Sequence, residues 1–467
     1  MVDSTTSEGR HGGNVLREPE IKNSTQTNTR ARVAERVRRS TGFLSRRSFL
    51  SKSLAVGAGT IGAGLLANAP TARATKVGDR SRDDDGGLTA GDEAILRFLP
   101  IDRNIGTLQT VAAFEKQVVG VAVSASGRVF VSFPRNGIDT VNKSVAEVID
   151  GKAVVYPNRE INTLDTRAPS THFLSVQSVY VDANDTLWCL DVGNTGSGTA
   201  LVPGGAKLVA IDLTTNTVTR TIVFPHSLIT TGTSLNDVRF DSQRGKAGFA
   251  YIPDSSAKAG SGIIVVDLAT GHAVRRLAND PSVLPDPSFR AVVEGKQFVA
   301  QATADAAPSL PAIACDGIAV SADGKLVYYC PIASRYLYSV SADALAHFKL
   351  SDYAVAATIK NVGEKGEVGG LEADAQGRIY LTNGEYNAIR RFDPAAATVD
   401  TFNGTFETVV HNRHLVWPDS LALGRDGALY ITSTQVNRLP SLNGGVDLRE
   451  PPYILYKVQT DATPGRR

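Results

Sequence analysis

Polar side chains recur at one position of a repeated sequence pattern, and their chemistry suits ligand binding or proton transfer. The position lies two residues before the first apolar residue of a strand-like segment, and its six copies are Val119, Gln177, Asn236, Asp316, Gly369 and Asp419. Two carboxylates and two carboxamides can hold a polar or cationic organic molecule, or a hard cation such as Ca²⁺. No cofactor is required by the sequence, and Ca²⁺ is the one that this set could bind. Asp316 and Asp419 are the candidate catalytic residues, because buried carboxyl groups that raise each other's pKa can serve as base and acid.

The repeated segment itself predicts the fold. Each copy has an alternating apolar strand, a tight turn and a second strand rich in Tyr, Phe, Val and Ile. The turn residues, which must tolerate positive φ, are Gly127, Asp185, Gly245, Gly324, Gly377 and Gly427. Further strand-like segments such as Lys207–Leu213 and Gly262–Leu268 follow several hairpins. Four strands in roughly 50–60 residues predict an all-β, six-bladed propeller with four-stranded antiparallel blades. A β-sandwich or a series of small β domains is the alternative.

A ring of blades would bring the six positions to one mouth of a central channel. Asp237 and Trp417 lie beside them in sequence, and an indole can stack on an aromatic or cationic ligand. The predicted ligand-binding residues are therefore Gln177, Asn236, Asp237, Asp316, Trp417 and Asp419. The structural alternative is that the Asn and Asp residues cap turns and that Trp417 packs under a loop. The segment Asn279–Ala314 contains five prolines and is expected to be a loop over one face of the disc.

The first 74 residues differ in character from the rest and indicate export. Ser45–Lys52 resembles a twin-arginine motif, a short Gly/Ala-rich apolar stretch follows, and Ala72-Arg73-Ala74 has the form of a signal-peptidase site. The apolar stretch is too short and too rich in glycine for a stable membrane anchor. The predicted organisation is a signal peptide with a disordered basic start (1–74), a flexible lead-in (75–95) and the propeller (96–460). We expect a secreted or periplasmic protein whose partner in export is the twin-arginine machinery.

Charge and cysteine usage narrow the possible partners and sites. The whole chain carries a net charge of +2, but residues 1–74 hold the basic excess, and the remaining 37 basic and 42 acidic residues give −5. A mildly acidic mature protein does not favour nucleic-acid binding. Three cysteines, Cys189, Cys315 and Cys330, are too few for a disulfide framework, and no Cys/His spacing suggests a metal site. Buried free thiols are favoured over a Cys315–Cys330 bridge.

Several motifs together resemble the major royal jelly/yellow protein family over roughly residues 95–457. The carriers are Ser234–Asp241, Gly248–Ser255, Asp316–Ser321, Trp417–Leu421 and Asn437–Leu439. The resemblance implies a secreted six-bladed propeller. Insect members of the family include proteins that bind biogenic amines in the central pocket and others linked to dopachrome tautomerisation. Three cysteines do not reproduce the insect disulfide pattern, and the Gly369-Gly370 pair leaves one ring position without a polar side chain.

Three functions follow from the sequence and the resemblance, and all remain open at this point. The chain could bind a small polar or aromatic, amine-like molecule in the channel. It could also be an isomerase of the dopachrome-tautomerase type, with Asp316 and Asp419 moving the proton. The alternative is a calcium-dependent, lactonase-like hydrolase, by analogy with other six-bladed propellers. In each case the partner is a small molecule.

Overall fold

The computed structural model describes residues 104–135, 143–196, 199–257, 260–396 and 404–465. The predicted signal peptide (1–74) and lead-in (75–95) lie outside these described residues. Within them, six four-stranded antiparallel sheets are arranged as a six-bladed β-propeller, which confirms the predicted fold.

The strands follow one another blade by blade. Blade 1 is formed by β2 (Val121–Val123), β3 (Val129–Ser132), β4 (Val145–Ile149) and β5 (Lys152–Val155). Blade 2 is formed by β6 (Val176–Val181), β7 (Thr186–Val192), β8 (Ala206–Asp212) and β9 (Thr217–Val223). Blade 3 is formed by β10 (Arg239–Asp241), β11 (Phe249–Pro253), β12 (Ile263–Asp267) and β13 (Ala273–Arg276). Blade 4 is formed by β16 (Cys315–Val320), β17 (Leu326–Pro331), β18 (Tyr336–Ser341) and β19 (Lys360–Glu364). Blade 5 is formed by β20 (Leu371–Ala373), β21 (Ile379–Asn383), β22 (Ala388–Asp393) and β23 (Thr405–His411). Blade 6 is formed by β24 (Pro418–Leu423), β25 (Ala428–Ser433), β26 (Tyr453–Gln459) and β1 (Leu108–Phe114). A small hairpin, β14 (Val292–Val293) with β15 (Lys296–Gln297), and three short helices, α1 (Arg159–Asn162), α2 (Ala342–Ala346) and α3 (Asp352–Ala356), complete the described secondary structure apart from 3₁₀ turns.

The first strand seen in the structure closes the ring. β1 pairs antiparallel with β26 as the outermost strand of blade 6, with Leu108 opposite Val458 and Phe114 opposite Tyr453. The innermost strands β2 and β24 also contact each other, which joins blade 6 to blade 1. With β1 in place blade 6 is complete, and the closed ring leaves only the short outer edges of the blades.

The inner hairpins form because their turn residues adopt the left-handed conformation that the sequence predicts. Asp185 has φ of 58°, and the five predicted glycines have φ between 69° and 86°. The positive φ lets the chain reverse direction between the first two strands of each blade, within four or five residues except in blade 3, where seven residues separate β10 from β11. The turns meet at the far end of the channel, where Ala125, Asp185 and Gln243 contribute to a cavity of about 360 Å³.

Apolar side chains between neighbouring blades make up the core. Each blade contributes alternating residues to a cluster on either side, and six clusters follow the ring. Between blades 2 and 3, for example, Trp188 stacks on Phe240 with ring centroids 5.0 Å apart. The free and buried cysteines Cys189, Cys315 and Cys330 lie in these clusters, as the sequence favoured.

The proline-containing segment 279–314, here called the excursion, packs on the face that carries the entry loops of the inner strands. Phe298 from the excursion contacts Trp417 of blade 6, with ring centroids 4.9 Å apart. Glu294 accepts hydrogen bonds from Arg438 and Asn437, and Val292 N donates to Glu385. These contacts fix the excursion over blades 4 to 6. Among the residues that the structure describes, no helix is long and apolar enough to cross a membrane.

Candidate functional site

Four side chains that are far apart in sequence meet in one cavity at the channel mouth. The cavity has a volume of about 300 Å³, and its wall includes Gln177, Asn236, Asp316 and Asp419, here called the polar quartet. The four residues directly precede or begin the inner strands of blades 2, 3, 4 and 6, so the rotational repeat of the propeller brings them together. This convergence is the geometry that the sequence predicts for them; their chemical roles stay predictions.

Hydrogen bonds connect three members of the quartet across neighbouring blades. Gln177 Nε2 donates to Asn236 Oδ1 over 3.1 Å. The Asn236 amide in turn hydrogen-bonds to the Asp316 carboxyl. Asn236 must therefore turn its oxygen toward blade 2 and its nitrogen toward blade 4, which fixes the orientation of both neighbours. The Asp316 carboxyl group thus accepts the last hydrogen bond of a chain that runs from Gln177 through Asn236.

Both carboxyl groups of the quartet are harder to ionise than ordinary aspartates. Burial raises the pKa of Asp316 well above its usual range, and the charges of Asp419 and Asp237 raise it further, against the Asn236 hydrogen bond. Burial also raises the pKa of Asp419 to about 7, although a hydrogen bond from Thr434 opposes the shift. Asp316 is only 3% exposed, whereas Asp419 keeps some exposed surface. A proton held near neutral pH lets such groups act as acids as well as bases.

The two consecutive glycines of blade 5 shape the gap between these carboxyl groups. A Cβ atom on Gly370 would lie 1.9 Å from the backbone oxygen of Asp419, so no side chain fits there. A Cβ atom on Gly369 would lie 3.6 Å from Asp419 Oδ1 and 3.6 Å from Ile332 Cδ1, which are ordinary contact distances. Gly370 is therefore needed for packing between the blades, whereas a methyl group at Gly369 would fit in contact with Asp419.

Trp417 lines the cavity and is also packed beneath the excursion. Its side chain is 1% exposed, it contacts Phe298, and it belongs to the wall of the 300 Å³ cavity. Its φ is 50°, a left-handed conformation that a bulky residue rarely adopts. The backbone oxygen of Trp417 accepts hydrogen bonds from Thr434 N and Thr434 Oγ1, which hold this conformation. Trp417 therefore packs under a loop, as the structural alternative predicts, and its stacking on a ligand stays a prediction.

Asp237 takes a different place from the other predicted ligand-binding residues. It does not line the cavity; its Oδ1 accepts hydrogen bonds from Ser178 Oγ, Val238 N and Arg239 Nη1. Arg239 is 3% exposed and also donates to Leu371 O. Asp237 therefore anchors a buried arginine between the blades, and it influences the cavity through its charge on Asp316 and Asp419.

Buried carboxylates at the ends of second strands hold the entry loops in place. Asp191, at the end of β7, accepts hydrogen bonds from Leu174 N and Ser175 N and pairs with Lys207 over 2.7 Å. Asp254 after β11 accepts from Ser234 N and Ser256 N in the equivalent position of blade 3. These carboxylates fix the loops from which Gln177 and Asn236 extend.

Two residues of this face were missed by sequence reasoning. Arg135 lines the cavity, yet it follows β3 rather than preceding an inner strand, so the repeat does not single it out. Glu367 is 2% exposed and lies two residues before Gly369, so extending the aligned positions backward by two would have found it. Nowhere in the described part of the chain do three or more His, Cys, Asp or Glu side chains form a group that could hold a metal ion.

Comparison with known proteins assigns the family. Residues 174–462, which include all four members of the quartet, match the model of the major royal jelly proteins. The chain belongs to the major royal jelly protein family. Among functionally curated proteins, no sequence matches the chain of this family member.

Solved structures that resemble this major royal jelly protein share little sequence with it. A luciferin-regenerating enzyme is 12% identical, with a TM-score of 0.46, and the match covers 77% of this chain and 97% of that one. A gluconolactonase from Xanthomonas campestris is 13% identical, with a TM-score of 0.44 and coverage of 76% and 89%. A virginiamycin B lyase from Staphylococcus aureus is 12% identical, with a TM-score of 0.41 and coverage of 76% and 99%. None of these activities is transferred to this family member by similarity at this level.

Proposed function

We propose that this propeller binds a small polar or aromatic, amine-like molecule in the cavity at its channel mouth. The observation that carries the proposal is the convergence of two carboxyl and two carboxamide side chains with the Trp417 indole around about 300 Å³. That volume suits a ligand of about ten non-hydrogen atoms, since specific pockets for larger molecules begin near this size. The ammonium group of the ligand would contact Asp316 and Asp419, and the aromatic ring of the ligand would lie against Trp417 and Ile332.

The electrostatics of the pocket make amine binding dependent on pH. An ammonium ion is attracted to an ionised carboxylate, and Asp419 ionises with a pKa of about 7. Below that pH the group is protonated and neutral, so the attraction is weakened; above it the carboxylate is available. We therefore expect affinity for an amine to rise between pH 6 and pH 8 and to be accompanied by proton release.

Phenethylamine is a suitable probe, with N-acetylphenethylamine as its uncharged control. In calorimetric titrations, native protein should bind the amine more tightly at pH 8 than at pH 6, and Asp419→Asn should weaken binding at pH 8 about tenfold or more, because the carboxylate that attracts the ammonium group is lost. Gly369→Ala should also weaken binding, since its methyl group would contact Asp419 Oδ1 at 3.6 Å and crowd the carboxyl group that meets the ammonium. Unchanged affinity in both variants would remove the proposed site.

The raised pKa values also favour a second activity at the same site, proton transfer of the dopachrome-tautomerase type. A carboxylate would remove a proton from a ring carbon of the substrate, and a protonated carboxyl would deliver one to its carbonyl oxygen, so the product is an isomer. We expect dopachrome to decay faster with native protein than with Asp316→Asn or Asp419→Asn, followed by its visible absorbance. Equal decay with all three proteins would leave binding as the sole function.

We further propose that the protein works outside the cytoplasm, as a secreted or periplasmic protein. The support is the twin-arginine motif in Ser45–Lys52 and the Ala72-Arg73-Ala74 site.

A calcium-dependent, lactonase-like hydrolase is the less favoured function. The quartet offers only two carboxyl groups, whereas a Ca²⁺ ion takes about six to eight oxygen ligands, several of them carboxylates.

A further inference from the structure

A second cavity lies beside the first one, under the excursion. It has a volume of about 210 Å³ and is lined mainly by apolar side chains and prolines, among them Phe289, Phe298, Leu310 and Ile332. Ile332 belongs to the walls of both cavities and lies between them. A dry cavity of about 150 Å³ is sufficient to hold benzene, so this one can accept a benzene ring with a small substituent.

One buried polar side chain in the cavity wall is available to a ligand. The Glu367 side chain accepts a hydrogen bond from Gly384 N at Oε2 over 3.0 Å, and among the described residues no other hydrogen bond reaches its carboxyl group. Asp286, the other acidic residue in the wall, is more exposed to solvent than Glu367, and its Oδ1 accepts two hydrogen bonds from Ser288. Glu367 Oε1 is therefore the buried carboxyl oxygen that this apolar cavity offers.

The surroundings of Glu367 favour a neutral partner. Burial raises the pKa of its carboxyl group, so that group can both donate and accept a hydrogen bond near neutral pH. Lys365 is 1% exposed and donates to Ser334 O and Gly366 O close by. A second cation brought into the cavity would be repelled by this ammonium group, whereas a hydroxyl group would not.

We propose that this cavity is a separate binding site for a small neutral aromatic molecule that carries one hydroxyl group, which hydrogen-bonds to Glu367. The apolar wall encloses the ring, and the carboxyl group selects the hydroxyl-bearing molecule over a hydrocarbon of the same shape. This site goes beyond the amine pocket, because none of the quartet residues lines it.

Phenol and toluene have almost the same shape and therefore test the carboxyl group directly. In titrations followed by ligand-observed NMR, native protein should bind phenol at least as tightly as toluene, although a cavity without a polar partner would prefer toluene. Glu367→Gln keeps an acceptor for Gly384 N and should weaken phenol about fivefold while leaving toluene unchanged. Toluene binding alone, or equal loss of both ligands in Glu367→Gln, would overturn the proposal.

A cavity-filling variant separates this site from the amine pocket. Ala333 lines the second cavity and not the first, so Ala333→Leu should abolish phenol binding and leave phenethylamine binding intact. Asp419→Asn should weaken phenethylamine binding and leave phenol binding intact. Phenol affinity that follows Asp419 rather than Ala333 would place phenol in the amine pocket and refute a second site. Thermal unfolding of each variant verifies that it is folded before the titration is interpreted.

Discussion

Replacing Asp419 by asparagine should make the protein more stable at pH 8, even though Asp419 lies in the proposed binding site. The pKa of Asp419 is about 7 in the folded protein, against 3.8 as its ordinary value. The folded state thus holds a proton that the unfolded chain releases between about pH 4 and pH 7. Stability is therefore lost as the pH rises through this window, and the loss is complete above it.

Asparagine cannot ionise and avoids this loss. We expect Asp419→Asn and native protein to have similar free energies of unfolding near pH 4 and to diverge by on the order of 2–4 kcal/mol at pH 8. The Asp419 charge also raises the pKa of Asp316, and removing that repulsion stabilises the variant further. Denaturant unfolding at several pH values measures the difference. Parallel pH curves for the two proteins would contradict the assignment of Asp419.

A surface aspartate with the opposite pKa shift provides the control. Hydrogen bonds from Arg378 and Arg391 lower the pKa of Asp461 to about 2. Its ionised form therefore stabilises the folded state above about pH 4, and this contribution disappears as the pH falls toward 2. Asp461→Asn should be less stable than native protein at pH 8, so the two variants must differ in sign.

The largest destabilisation is expected for Asp191→Ala, at about 3–5 kcal/mol. Asp191 Oδ2 lies 2.7 Å from Lys207 Nζ, and the two side chains are 0% and 1% exposed. The variant would leave the Lys207 ammonium group buried without its carboxylate. The N–H groups of Leu174, Ser175 and Gly193, which now donate hydrogen bonds to Asp191, would lose their acceptor. Denaturant unfolding at pH 7 measures the loss.

A second substitution, at Lys207, separates the two causes of this destabilisation: the unpaired buried charge and the loss of hydrogen bonds to the loop. Asp191→Ala with Lys207→Met removes the uncompensated charge but does not restore the acceptors, so the double variant should recover only part of the lost stability. Both variants should bind phenethylamine more weakly than native protein, because the loop that contains Ser175 and Gln177 is no longer fixed. A double variant no more stable than the single one would show that the buried charge is not the cause.

The repeat was sufficient to predict the blades, because each inner hairpin carries its own local signals. Gly127, Gly324 and Gly427 have the positive φ that their positions in the pattern require. The convergence of Gln177, Asn236, Asp316 and Asp419 followed from the same repeat, because rotational symmetry gives equivalent sequence positions equivalent places around the axis. For this part of the molecule, local sequence and global arrangement agree.

Features that depend on contacts between unrelated segments could not be predicted. Asp237 occupies the same loop as Asn236, but its carboxylate accepts a hydrogen bond from Ser178 Oγ of blade 2 and pairs with Arg239, which in turn donates to Leu371 O of blade 5. Glu367 lines a cavity together with residues of the excursion, and the excursion has no repeat of its own to define its path. The pairing of β1 with β26 joins residues more than 300 positions apart, beyond the reach of any local pattern.

That last pairing has a consequence for how the chain is made. β1 emerges from the ribosome first among the strands of the ring, whereas its partner β26 is translated last. Blades 1 to 5 can assemble during synthesis, but β1 must wait without its neighbour until Tyr453–Gln459 has been added. A nascent chain halted before that point would carry two unpaired edges, which are the surfaces most prone to aggregation.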